Sequence, residues 1–281
     1  MITYNKLNVF SIYKTLLCIP VVIAAWRFQF KYSLLITTTI VLWEISTLYF
    51  EKSDLFIHFL IVSVPVYYFA SVTGGLLRLK NIRLNEARNQ LKQIFTETID
   101  TIIMALEAKD LYTKGHSERV YNLTSLLVDK MNIPSQEADD IRMAARLHDI
   151  GKIGISDMIL NKPERLTDEE YAVIKNHPVI GAEVLKKIKE FERIVPIIYH
   201  HHERYDGKGY PDGLKGDAIP LGSRIISVVD SFDAMISKRT YREALSKSKA
   251  VNELVKNINK QFDGKIVYAF LKVLKDIGIE Y

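Results

Sequence analysis

Beyond about position 110 the apolar residues of this chain return every three or four positions almost without a break, a period that leaves room for little except helices. Val120, Leu123, Leu127 and Met131 mark one amphipathic helix, and Ile141, Ala144, Ala145 and Leu147 mark a second. Thr167 and Glu170 spell a capping box that opens a third, expected to stop near Pro178. Two more are expected, from about Ser223 to Ile236 and from Lys247 through Phe270. Alternating apolar and polar residues, the mark of half-buried strands, are almost absent, so the predicted fold class is all-α. The long irregular stretch Asp206 to Leu221 is rich in Gly and Pro.

Upstream the pattern changes. From Arg78 to about Asp110 there is neither Pro nor Gly, and Leu84, Ala87, Leu91, Ile94 and Ile102 keep a seven-residue spacing with Thr98 as a weak member. That predicts a long connector helix whose apolar seam suits either a homodimer with a second copy or packing on the domain that follows. Before it, Leu34 to Phe50 and Leu55 to Leu77 are apolar runs near the length that crosses ~30 Å of hydrocarbon. Leu16 to Trp26 is a shorter run carrying Pro20. The mean hydropathy of +0.03 averages these runs with an ordinary remainder. The expectation is a membrane-embedded, multi-pass region over 1–77 with two or three transmembrane helices, a helical linker over 78–97 and a catalytic domain over 98–281. Arg78, Lys80 and Arg83 follow the last run while Glu51 and Asp54 lie between runs, which by the positive-inside rule places the C-terminal portion in the cytoplasm.

Cys18 is the single cysteine, so neither a disulfide nor a thiolate cluster can be built within the chain, and any metal must use His and carboxylates. A net charge of +5 is too modest to argue for DNA. Six of the seven histidines fall between positions 116 and 202. His116 precedes Val120 and Leu123 at helical spacing and so points toward a core. His148 and Asp149 end a helix before Gly151; adjacent helical residues point about 100° apart, so the pair can hold one ion or let Asp149 bridge two. Asp230 sits among Ile225, Ile226, Val228, Val229 and Phe232, where an ionised carboxylate is costly unless a cation compensates it. His177 stands against Pro178, and His201 and His202 form another adjacent pair. These seven N/O donors are too many for one tetrahedral zinc and suit two octahedral ions sharing a carboxylate. Two ions about 3.5–4 Å apart are a standard device for in-line displacement at phosphorus.

The stretches Glu107-Ala-Lys-Asp110, Tyr112-Thr-Lys-Gly-His-Ser117, His148-Asp-Ile-Gly-Lys-Ile-Gly154, Ile174-Lys-Asn-His-Pro178, His201-His-Glu-Arg-Tyr-Asp-Gly-Lys-Gly-Tyr-Pro211 and Asp230-Ser-Phe-Asp-Ala-Met235 closely resemble the HD-GYP domain family. The resemblance covers about Thr98 to Leu271. It implies a metal-dependent phosphodiesterase of bacterial signal transduction that hydrolyses cyclic di-GMP to the linear dinucleotide or to GMP; with the apolar runs upstream, the expectation is an enzyme anchored in the inner membrane with its catalytic domain cytoplasmic. It implies a binuclear, sometimes trinuclear, iron or manganese site held by His116, His148, Asp149, His177, His201, His202 and Asp230. Asp149 and Lys152 are then catalytic, with Lys152 against the scissile phosphate. Gly209, Tyr210 and Pro211 line the substrate groove, and Arg239 and Arg242 hold phosphate. Members with a third metal carry Glu where this chain has Tyr112, so two divalent ions are expected. His200 has no counterpart and reads as structural, while Asp233, one turn beyond Asp230, reads as its support. Two alternatives remain: an HD-type phosphohydrolase of another cyclic dinucleotide, and a non-catalytic cyclic-dinucleotide receptor.

Overall fold

The computed structural model describes residues 30–50, 61, 64–110, 114–237 and 244–279, and the chain divides into two compact units, Met1–Thr96 and Glu97–Tyr281. Among the described residues every regular element is helical, with only two isolated bridges, Asp206 to Lys215 and Ile258 to Phe262.

In the first unit, α1 (Phe30–Phe50) meets the start of α2 (Val64–Lys109) through buried Val41 and Tyr67, and Thr38 shares a 3.0 Å hydrogen bond with the Tyr68 hydroxyl. The expectation of a multi-pass membrane protein is corrected here: among the described residues no helix is long and apolar enough to cross a membrane. The physical reason lies in the sequence of each helix. The apolar run of α1 is interrupted by Thr37, Thr38, Thr39 and Glu44, and α2 meets Arg78, Lys80 and Arg83 soon after Leu77. The run Leu16 to Trp26, and most of residues 55–63 in the third run, lie outside the described residues. Of the seam expected on the connector, Leu84 and Leu91 are exposed.

The second unit is built around α3 (His116–Lys130), α4 (Ser135–Leu147) and α9 (Leu221–Ile236), with α10 (Lys247–Lys256) and α11 (Gly264–Asp276) closing one side. Shorter pieces, α5 (Asp157–Leu160), α6 (Asp168–Ile174), α7 (His177–Leu185) and α8 (Val195–Tyr199), frame the other. The core runs through Val120, Leu127, Ile141, Ile198, Ile225, Val229 and Phe232, with Phe232 edge-on to Phe270 at 5.3 Å. That packing seats the apolar face of α9 in the core, with Asp230 among its residues. The Thr167–Glu170 capping box is present in both directions, 3.2 Å and 2.8 Å, which lets so short a helix as α6 start cleanly.

Two helix boundaries differ from the sequence reading. Pro178 does not end a helix but sits in the first turn of α7, where its missing N–H has no intrahelical partner to lose. The single helix expected over Lys247 to Phe270 is two, because Asn259 takes φ 61° and Asp263 accepts from the Lys265 amide at 2.9 Å to start a new one.

Candidate metal centre

Five elements deliver the seven donors to one place. The first is the opening turn of α3. Gly115, at φ 69°, turns the chain into the helix, and the Glu107 carboxylate accepts from the Gly115 and Ser117 amides at 2.7 and 3.1 Å, so His116 starts the helix in a fixed direction. His148 caps α4, and Asp149 follows at φ −93°, ψ 2°, leading into a 3₁₀ turn over Ile150–Gly154. His177 begins α7, His201 and His202 follow α8, and Asp230 projects from the middle of α9.

The imidazoles share one construction. The Nδ1 atoms of His148, His177 and His201 meet the backbone carbonyls three residues earlier, Ala145, Ile174 and Ile198, at 2.8, 2.8 and 2.6 Å. His116 Nδ1 meets Asp233 Oδ2 at 2.8 Å instead, and Asp233 is held in turn by Arg119 at 2.7 and 2.9 Å. A proton on the Nδ1 of His148, His177 and His201 leaves each of those Nε2 atoms as a bare lone pair, the arrangement that fixes a metal-binding tautomer. Those Nε2 atoms converge. His177 and His201 bring theirs to 3.3 Å. His116 and His148 lie 3.9 and 3.6 Å from Asp149 Oδ2, and His116 lies 3.2 Å from Asp230 Oδ1.

These donors form two groups suited to a metal ion, His116–His148–Asp149 and His177–His201–His202. Asp149 touches both: Oδ2 faces the first while Oδ1 lies 3.4 Å from His177 Nε2. The fit is supported by a defect that protein alone leaves uncorrected. His148 Nε2 is fully buried with no hydrogen-bond partner, and a lone pair desolvated in that way is costly unless something electrophilic meets it. An all-nitrogen-and-oxygen set of this kind suits hard or borderline divalent ions better than soft metals.

Charge is arranged accordingly. Burial opposes ionisation of Asp149 and Asp230, yet the carboxyls are held well below the usual range, Asp149 by Lys152 and the neighbouring imidazoles and Asp230 by His116, so both stay anionic. Burial and the neighbouring imidazoles hold His201 well below its ordinary value and push His202 down to about 3; burial also lowers His177. His116 is the exception. Burial disfavours its cation, but hydrogen bonds to Asp230 and Asp233 outweigh that and raise it to about 10. A metal must therefore displace this proton. Uptake at about pH 8 is expected to release about one proton per chain, with apparent affinity rising about tenfold per pH unit between about pH 7 and pH 9. Calorimetry in two buffers of different ionisation enthalpy checks it, and proton-neutral uptake would count against it.

Lys152 is largely buried beside Asp149, its ammonium 2.8 Å from Asp149 Oδ2 and 2.9 Å from Asp110 Oδ2; burial works against the cation, and the two carboxylates more than restore it. Tyr210 places its ring 5.0 Å from the His202 ring, and its amide meets the His202 carbonyl at 3.4 Å, so the loop carrying Gly209, Tyr210 and Pro211 folds back over the site. Burial raises the Tyr210 phenol well above its ordinary value, keeping it protonated. His200 turns away and pairs with Asp212 at 3.1 Å. Arg239, Arg242 and Tyr112 lie outside the described residues.

Sequence reasoning did not assign Asp110, Arg119, Tyr171 or Lys175 to this place. Arg119 stands one turn after His116, but its partner Asp233 is 114 positions further on, so nothing local marks it. Tyr171 sits on α6 and Lys175 just beyond its end, and the Lys175 ammonium lies 4.7 Å from the Tyr171 ring centroid and 5.6 Å from that of Tyr210.

The sequence pattern of a family described as HD domain matches residues 100–266. The chain is 41% identical over 192 residues to a cyclic di-GMP phosphodiesterase response regulator, RpfG, of Xanthomonas campestris pv. campestris, covering 68% of this chain and 51% of that protein. It is 40% identical over 187 residues to a cyclic di-GMP phosphodiesterase of Thermotoga maritima, covering 66% and 51%. It is 36% identical over 205 residues to 3′3′-cGAMP-specific phosphodiesterase 3 of Vibrio cholerae, covering 73% and 45%. The chain thus spans about half the length of the curated relatives it matches.

Proposed function

This chain belongs to the HD domain family, and on that premise we propose that it is a metal-dependent phosphodiesterase of a cyclic dinucleotide, with cyclic di-GMP as the first substrate to consider. The observation that carries the reading is Asp149: one carboxylate oxygen faces His116 and His148, the other faces His177, so one side chain serves two donor groups. That arrangement supports two divalent ions, iron or manganese, held by His116, His148, Asp149, His177, His201, His202 and Asp230. Bound there, they would polarise a phosphate oxygen and lower the pKa of the attacking water.

The chain's own groups supply the remainder. Asp233, braced by Arg119, orients His116, and the carbonyls of Ala145, Ile174 and Ile198 orient three further imidazoles. Lys152, held by Asp110, brings a fixed positive charge beside Asp149, where the phosphate gains negative charge as water adds. The protonated Tyr210 phenol and the adjoining Gly209 and Pro211 form a wall of the groove next to His202. In balance, water adds across one P–O bond, leaving a phosphomonoester on one ribose and a free hydroxyl on the other.

A second reading, hydrolysis of a hybrid GMP–AMP ring, is favoured by the 36% identity to a relative named for that substrate. The test is to load the purified chain with Mn(II) or Fe(II) and follow cyclic di-GMP and 3′3′-cGAMP side by side by chromatography. Loss of cyclic di-GMP with appearance of the linear dinucleotide is the expected result. Turnover of the hybrid ring alone would move the assignment to the second reading, and binding without turnover of either would make the chain a receptor.

A further inference from the structure

Among the described residues, three cations beside the metal centre are committed. Lys152 is shared between Asp149 and Asp110, Arg119 is forked onto Asp233, and Lys109 meets the carbonyls of Ile153 and Ile155 at 2.9 and 2.6 Å. Lys175 differs. It is half-buried, and no carboxylate of the described residues lies within ion-pair distance of it; its ammonium is held by the faces of Tyr171 and Tyr210 instead. An ammonium kept on aromatic faces is held more weakly than one paired with a carboxylate and is readily surrendered to an anion. Its placement is set by the metal centre itself: Lys175 is two residues before His177, and the Tyr210 ring it approaches lies 5.0 Å from His202.

We propose that Lys175, flanked by Tyr171 and Tyr210, binds the second phosphodiester of the cyclic dinucleotide, the one not being cut, while a base stacks on the half-exposed Tyr171 ring. This rests on the phosphodiesterase reading and deepens it. A cyclic dinucleotide carries two phosphates separated by one nucleoside, so a ring presenting one phosphate to Asp149 and Lys152 carries the other several ångströms away. The ammonium-to-Tyr210 and Tyr210-to-His202 distances keep Lys175 within that range of the donors. The charge therefore governs binding of the intact ring rather than the chemical step, and its effect falls on KM.

The test uses the full chain loaded with Mn(II), the variants Lys175→Met and Lys175→Arg, and two substrates: cyclic di-GMP, and bis(p-nitrophenyl) phosphate, which has a single phosphodiester. Lys175→Met is expected to raise KM for cyclic di-GMP by about tenfold with kcat nearly unchanged. Lys175→Arg should restore most of the loss, and neither variant should alter turnover of bis(p-nitrophenyl) phosphate. Unchanged KM for cyclic di-GMP overturns the proposal while leaving the phosphodiesterase reading intact. Equal loss on both substrates also overturns it, because the residue would then be shaping the metal centre. If the unsubstituted chain turns over neither, calorimetric binding of cyclic di-GMP decides. Weaker binding to Lys175→Met upholds the subsite though hydrolysis is wrong, and no binding, or equal binding, overturns both.

Discussion

Asp149→Asn is expected to remove phosphodiesterase activity almost entirely while leaving the fold in place. Asparagine keeps the shape but offers one oxygen and one N–H₂, so only one donor group can be served, and the other meets an amide that carries hydrogens toward a cation. The side chain also loses the charge that sits 2.8 Å from Lys152, leaving that buried ammonium with Asp110 alone. Outer partners of metal ligands cost 10–100-fold when removed, so a carboxylate serving both groups should cost about 10³-fold or more. Elemental analysis should show metal content falling together with turnover of bis(p-nitrophenyl) phosphate, with circular dichroism unchanged. A variant that keeps full metal content and full turnover would show that Asp149 does not join the two groups.

Gly151→Ala is expected to have the second largest effect, and by a different route. A Cβ at Gly151 would lie 1.9 Å from the His177 carbonyl oxygen and 2.5 Å from the Gly181 amide nitrogen, both backbone atoms of α7. Neither can swing aside, so the turn carrying Asp149 and Lys152 must move off the helix carrying His177. Overpacking of this kind costs about 3 kcal/mol, which in a domain of this size lowers Tm by roughly 10 °C. Displacing the turn by even ~1 Å should cut activity about 10²-fold as well. The control is in the same motif. At Gly154 the nearest atoms to an added Cβ all belong to the Ile180 side chain, at 3.0, 3.3 and 3.9 Å, which can rotate, so Gly154→Ala should be mild in both measurements. Equal behaviour of the two variants would remove the close approach as the reason for glycine at 151.

The two glycines stand three residues apart in one motif and look alike in sequence; contact with α7 separates them. The same division runs through the molecule. Helix positions inside the second unit were legible because amphipathic period and capping chemistry are local, as the Thr167–Glu170 box demonstrates. The break between α10 and α11 was less so, since the left-handed turn at Asn259 is a single-residue event inside an otherwise continuous pattern. For the apolar runs near the N-terminus, length and mean apolarity are poor guides: the described helices there are not apolar for long enough to cross a membrane.

The sequence by itself determined which residues carry unsatisfied chemistry, because an ionisable side chain set where an apolar one belongs, such as Asp230 or His116, declares its cost locally. Tertiary structure alone decided what answers that cost. The His116–Asp233 pair spans 117 positions and Lys152–Asp110 spans 42, and Lys175 reaches Tyr210 only because α6 and the loop after α8 fold against the same site. Periodicity constrains neighbours three or four residues apart, whereas a hydrogen bond or a shared cation depends on distance in space, which no local pattern encodes.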